Sequence, residues 1–156
     1  MNLVCKNLVE MLKKSKKTIS CMESCTGGYL VNELTNIGGA SNVLKVSLVT
    51  YSNEYKIKFG VNKETINKYT VYSSQTAEEM ARTVANFANS DFGIGVTGNL
   101  DENGAVNKVY YSIYIKETNE NHNGVISISG ENRELMKKYV VNNILEDNVW
   151  NMLMEN

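Results

Sequence analysis

The hydrophobic positions fall into segments with different periods. Leu3, Val4, Leu8, Met11 and Leu12 recur at helical spacing and are followed by Lys13 to Lys17. This predicts a helix over 2–15 with basic residues near its C-terminal dipole. Thr18 to Met22 is a short β-prone run. Tyr29, Leu30, Leu34 and Ile37 then restore a helical pattern that stops at Gly38-Gly39. Val43 to Tyr51 is a long apolar and β-branched run and reads as a central strand. Ser52 to Lys58 reads as a polar loop or short turn, and 63–68 as a helix of one or two turns. Ala77, Met80, Ala81, Val84 and Ala88 mark an amphipathic helix over 74–89.

The second half is strand-rich. Phe92 to Thr97 is a short buried strand, and 97–107 is turn-forming. Val109, Tyr111, Ile113 and Ile115 alternate with Tyr110, Ser112 and Tyr114, the period of a strand. A polar turn over 118–124 and a strand over 124–129 follow. Leu135, Tyr139, Val140, Ile144, Leu145, Val149 and Met152 predict one long C-terminal helix. The order α-β-α-β-α-β-β-β-α combines crossover units with a closing meander. It predicts a single three-layer α/β/α domain over 1–156, with a mixed sheet covered by helices on both faces. Ligands of such folds gather at the carboxyl ends of the strands. Three polar segments are predicted there: Glu23 to Gly28, Ser52 to Lys56 and Thr97 to Ala105.

Composition narrows the functional classes. The 156 residues, 42% apolar and 21% charged, support a full core without staples. Sixteen Lys+Arg against seventeen Asp+Glu leave a net charge of −1, which excludes a strongly basic nucleic-acid module. No apolar run reaches the ~18 residues of a membrane span, and MNLVCKNLVEMLKKSKK lacks the apolar stretch and cleavage site of a signal peptide. Cys5, Cys21 and Cys25 make an odd count, expected to be reduced thiols in a cytoplasmic protein. No His/Cys cluster completes a zinc site with Cys21 and Cys25, so neither metal nor cofactor is expected.

Glu23-Ser24-Cys25-Thr26-Gly27-Gly28 is the most informative segment, a strand–turn–helix junction of small polar residues. Free N–H groups near Thr26, Gly27 and Gly28 can bind a phosphate or stabilise an oxyanion, and the glycines admit close approach. Ser24 is therefore a candidate nucleophile or phosphate contact. Most hydroxyls at such a place are simply N-caps, and Ser24 or Thr26 fits that role as well. A serine nucleophile needs a base. The only histidine, His122, lies in what reads as an exposed turn, so a Ser-His-Asp triad is not expected. Lys56 is the alternative base once burial lowers its pKa; otherwise it is one of many solvated lysines. Cys25 is a rival nucleophile or a small buried hydrophobe. Asp101 and Glu102, adjacent in a turn, read as solvated.

Taken together, E-S-C-T-G-G at 23–28, V-T-Y-S-N-E at 49–54 with Lys56, and V-T-G at 96–98 resemble the CinA C-terminal domain family, which includes nicotinamide mononucleotide deamidases. The order and spacing match over essentially the whole chain. Gly130-Glu131-Asn132-Arg133-Glu134 resembles the family's G-D-R-E element with one residue inserted. The resemblance implies hydrolysis of the carboxamide of nicotinamide mononucleotide to nicotinic acid mononucleotide and ammonia, within pyridine-nucleotide salvage. It implies a Ser-Lys pair, carried over to Ser24 and Lys56, with Tyr51 in the same pocket. It also implies substrate contacts at Thr26, Gly27, Gly28, Asn53, Thr97, Gly98 and Arg133. The expected partners are a small nucleotide substrate and further copies of the chain in a homo-oligomer, with no nucleic acid and no membrane.

The sequence also departs from the family pattern. The family loop T/S-G-I-A-G-P-x-G-G reads T-G-N-L-D-E-N-G-A over 97–105, so Asp101-Glu102 replaces Gly-Pro. The family's P-V-G is Lys108-Val109-Tyr110, whose tyrosine could close part of the pocket, and G-A-V-S is Thr70-Val71-Tyr72-Ser73. A catalytically degenerate relative, acting as a nucleotide-binding or protein-interaction module, is the alternative these departures favour.

Overall fold

The computed structural model describes residues 2–130 and 132–154. Glu131 of the G-E-N-R-E segment lies outside the described residues. In chain order the elements are α1 (Leu3–Ser15), β1 (Ile19–Glu23), α2 (Tyr29–Thr35), β2 (Leu44–Val49), α3 (Asn53–Lys58), α4 (Lys63–Tyr69), α5 (Ser74–Ala88), β3 (Phe92–Gly98), β4 (Asn107–Ile115), β5 (Glu120–Ile128), α6 (Arg133–Leu145) and α7 (Val149–Met154), with a 3-10 turn at Ala40–Asn42. The sheet order is β2-β1-β3-β4-β5. The first three strands run parallel, and β4 and β5 close the sheet as an antiparallel meander. This is the predicted α/β architecture with a mixed sheet.

Alternation along the strands supplies two buried faces. Ile19 and Cys21 of β1 and Ile94 and Val96 of β3 face a core completed by Leu8 and Leu12 of α1, Leu30 and Leu34 of α2, and Val140 and Ile144 of α6. On the opposite face Met22 meets Met80 and Val84 of α5 and Ile66 of α4. On β3, Gly93 and Gly95 allow α5 to lie against the strand. A Cβ at Gly93 would stand 2.1 Å from the Ala81 carbonyl oxygen, and one at Gly95 would stand 2.3 Å from that of Ala77. Alanines on the facing side of the helix complete this close approach. Among the described residues, no helix is long and apolar enough to cross a membrane.

Four expectations are corrected. The strand predicted over 43–51 is β2, an edge strand rather than a central one. Its apolar run reflects cover on both faces, with Leu44 against the first core and Val46 and Leu48 against the second; cover of that kind does not specify a strand's place in the hydrogen-bonded order. The polar segment 52–58 is a helix, α3. Ser52 Oγ accepts from Tyr55 N at 3.2 Å, Glu54 stands in the first turn, and Lys56 and Lys58 stand in the last.

The polar turn expected over 118–124 is shorter than predicted, and β5 already begins at Glu120. A polar edge strand next to solvent needs no apolar alternation, so pairing with β4 defines it; His122 lies opposite Ile113. The single C-terminal helix is two helices. Asp147 Oδ1 accepts from Val149 N at 2.9 Å, its other oxygen takes the Tyr111 hydroxyl, and His122 Nε2 stands 3.1 Å from the same carboxylate. A side chain that caps the next helix and is held by two strand residues competes with continuation of the first helix.

Replacing Gly95 with Ala forces a methyl group into the α5 backbone. The expected loss is about 3 kcal/mol, a fall of roughly 10 °C in melting temperature for a chain of this size. Calorimetry of the Gly95→Ala variant measures it.

Candidate active site

All three parallel strands deliver a site segment at their carboxyl ends. Ser24 follows β1 directly, and its N–H continues the sheet pairing to the Val96 carbonyl at 3.0 Å. The chain then turns sharply: Gly27 N–H donates to the Ser24 carbonyl at 3.0 Å, and Gly27 and Gly28 take φ values of +59° and +96°, where a side chain would be strained. Thr50 and Tyr51 follow β2, and α3 starts two residues later. Gly98 ends β3.

The start of α2 differs from expectation. Glu23 is fully buried, and its carboxylate accepts from the Leu30 N–H at 2.9 Å, the Val31 N–H at 3.1 Å and the Thr26 hydroxyl at 2.6 Å. The helix start thus already holds an internal carboxylate, which occupies the Leu30 and Val31 amides. Thr26 is buried with its hydroxyl occupied. Its hydroxyl thus serves as an internal brace, while the residue also borders a hollow shared with Gly27, Gly28 and Arg133. Nothing in the residue pattern assigned Glu23 a function, although a carboxylate three residues before a threonine and seven before a helix residue is a legible capping signal.

Lys56 lies on α3 with only 1% of its surface exposed. Its Nζ is 2.9 Å from Ser24 Oγ, 2.7 Å from the Thr50 carbonyl oxygen and 3.2 Å from the Tyr51 carbonyl oxygen. Burial lowers its pKa from 10.5 to about 8, with the neighbouring Cys25 opposing the shift. Two N–H groups are held by carbonyls, and the third tetrahedral position points at the serine oxygen. That position carries a proton in the ammonium and a lone pair in the amine. The Cys25 thiol is pushed up to about 12 by burial, so it stays protonated around neutrality.

Ser24, Lys56, Tyr51 and Asn53 share a cleft of about 210 Å³ with Gly98 and Arg133. Its further walls come from Asn99, Leu100 and Asp101 of the predicted polar segment 97–105, and from Val71 and Tyr72, which the sequence did not single out as contacts. Asp101 and Glu102 are both exposed, as expected of a solvated turn; Asp101 also borders the cleft, and Glu102 does not. Thr97 is buried, and its hydroxyl donates to the Val71 carbonyl at 2.7 Å, tying the cleft wall to β3. Tyr110 is not among the cleft residues. The Tyr51 ring is exposed, and its hydroxyl accepts from Arg133 Nη2 at 3.3 Å; its carbonyl is what reaches Lys56. Arg133 also borders a neighbouring hollow formed by Gly27, Gly28 and Lys137. His122 lies on β5 with its ring beside Asp147, away from the cleft residues. The three cysteines are free and buried, and the described residues contain no group of three or more His, Cys, Asp or Glu that could hold a metal ion.

Comparison with known proteins bears on the family and the fold. The model of the CinA C-terminal domain matches residues 2–148. The CinA-like protein of Petrotoga mobilis is 45% identical over 116 residues, which cover 70% of this chain and 29% of that protein. That of Kosmotoga olearia is 40% identical over 114 residues, covering 69% and 28%. The chain thus spans less than a third of the length of these curated relatives. Among solved structures, the competence or damage-inducible protein from Enterobacter asburiae has a TM-score of 0.84 at 28% identity and covers 96% of both chains. A CinA superfamily protein from Escherichia coli, at 23% identity, shares the fold with a TM-score of 0.85 over 94% of this chain and 87% of its own.

The Glu23 brace has a measurable consequence. In Glu23→Gln the amide nitrogen cannot accept from Val31 N–H, leaving a buried donor unpaired. A loss of about 2 kcal/mol is expected, read as a lower urea midpoint with accelerated hydrogen exchange at Leu30 and Val31.

Proposed function

Because the chain belongs to the CinA C-terminal domain family, we propose that it is an amidohydrolase acting on the carboxamide of nicotinamide mononucleotide, with Ser24 as nucleophile and Lys56 as its base. The observation that carries this reading is the 2.9 Å contact between Lys56 Nζ and Ser24 Oγ, made by a buried lysine whose other two hydrogen-bonding directions are occupied by carbonyls. A surface lysine that merely attracts a phosphate has no need of that geometry.

In this reading neutral Lys56 accepts the Ser24 proton as Oγ bonds to the carboxamide carbon. The carbonyl electron pair moves onto oxygen, where backbone N–H groups of the turn after Ser24 stabilise it. As the C–N bond breaks, Lys56 returns the proton to nitrogen and ammonia leaves. Lys56 then takes a proton from water, which attacks the acyl-enzyme. Collapse releases the carboxylate, and the proton on Lys56 returns to Ser24. The Thr50 and Tyr51 carbonyls keep the lysine aimed through both half-reactions. Cys25, held as a thiol, is a neighbour rather than the nucleophile. Tyr51, Asn53 and Gly98 border the cleft that holds the ring, while Arg133, with Gly27 and Gly28 beside it, gives the nucleotide phosphate a cationic anchor. A second reading, binding without turnover, draws on the altered 99–110 region; ammonia release from nicotinamide mononucleotide separates the two.

Ser24→Ala is expected to lower ammonia release by about 10³-fold or more with an unchanged melting temperature. Near-normal turnover, or a dead Cys25→Ala instead, refutes the assignment. Lys56 must be neutral to act, so kcat/KM is expected to rise with pH through about 8, the value to which burial lowers its pKa. Lys56→Arg keeps the charge but cannot deprotonate. It is expected to be nearly inactive across that range, and a near-normal kcat would remove Lys56 as the base.

A further inference from the structure

We propose that Asp101 is a specificity-determining residue that makes the cleft favour carboxamides carried on a positively charged ring over neutral ones; this rests on the amidohydrolase reading above. Asp101 borders the same cleft as Ser24 and Lys56. Its position is built rather than incidental. Asn107, 1% exposed, accepts from Asp101 N–H at 3.0 Å and donates through Nδ2 to the Asp101 carbonyl at 3.0 Å, so the backbone is clamped from both sides. The carboxylate accepts from Nδ2 of Asn99, another cleft residue, at 3.2 Å.

No ion pair among the described residues includes the Asp101 carboxylate; the pairs join Glu10 to Lys13, Lys17 to Glu117 and His122 to Asp147. The two other charged groups of the cleft are directed elsewhere, Lys56 to Ser24 and two carbonyls and Arg133 to Tyr51. A second observation points the same way. Two aromatic residues, Tyr51 and Tyr72, 61% and 55% exposed, are among the cleft residues. Aromatic faces and an unpaired carboxylate both attract a flat cation. A pyridinium carboxamide supplies that cation on the ring that carries the scissile amide, whereas a free neutral pyridine carboxamide does not.

The test separates charge recognition from turnover. Binding of 1-methylnicotinamide, a cation, and of nicotinamide, neutral with the same amide, is measured by calorimetry on a Ser24→Ala protein with and without Asp101→Asn or Asp101→Glu. The asparagine keeps an acceptor for Asn99 and removes only the charge. The cation is expected to bind about tenfold more tightly than the neutral amide at low salt. That preference is expected to fall to about twofold or less in Asp101→Asn, to return in Asp101→Glu, and to weaken in high salt. Equal binding of the two amides, no binding of either, or a preference that survives Asp101→Asn overturns the proposal. Failure of the amidohydrolase reading looks different: no ammonia forms from nicotinamide mononucleotide even when the Asp101-dependent preference is present.

Discussion

The Lys56 amine is almost entirely shielded from bulk solvent, and its surroundings follow from that constraint. A lysine buried to 1% exposure is stable only where its N–H groups meet acceptors. The Thr50 and Tyr51 carbonyls serve because β2 ends just before them and releases two peptide oxygens at the sheet edge. The third direction falls on Ser24 because β1 pairs with β2 in parallel, so the ends of both strands lie at one level. The short helix α3 returns the lysine to the strand it has just left. One desolvated amine therefore requires the register of two strands, the cap of one helix and the turn after Ser24.

That turn is held from below by another buried charge. Glu23 occupies the start of α2, where a bound anion would otherwise sit, and so fixes the segment that carries Ser24. Burial acts oppositely on the two neighbouring candidates for chemistry. It lowers the Lys56 pKa toward neutrality and raises that of Cys25, because in each case it disfavours the charged form. The same desolvation thus favours a neutral amine and suppresses a thiolate.

The loop between β3 and β4 is held by specific contacts. Asn107, at the start of β4, clamps Asp101 through its backbone, and Asn99 holds the carboxylate. A carboxylate thus borders the cleft on a loop separate from the segments after β1 and β2 that make the Ser24–Lys56 contact. Loops at strand ends can change ligand preference independently of the sheet that positions the chemistry.

The residue pattern by itself determined the α/β order, the strands and helices with clear periods, and the junction at 23–28 beside Lys56. These are local properties: apolar spacing, capping residues and glycines report the backbone within a few positions. It could not determine that 43–51 is an edge strand, since an apolar run records cover on two faces and not pairing. Nor could it divide the C-terminal helix at Asp147, whose partners Tyr111 and His122 come from other strands. Only the tertiary structure decided that Asp101 joins the cleft while Glu102 does not, that Thr26 and Thr97 have their hydroxyls occupied internally, and that Lys56 is desolvated. Each of those outcomes depends on which distant groups exclude water or supply a partner, and that information is absent from the spacing of neighbouring residues.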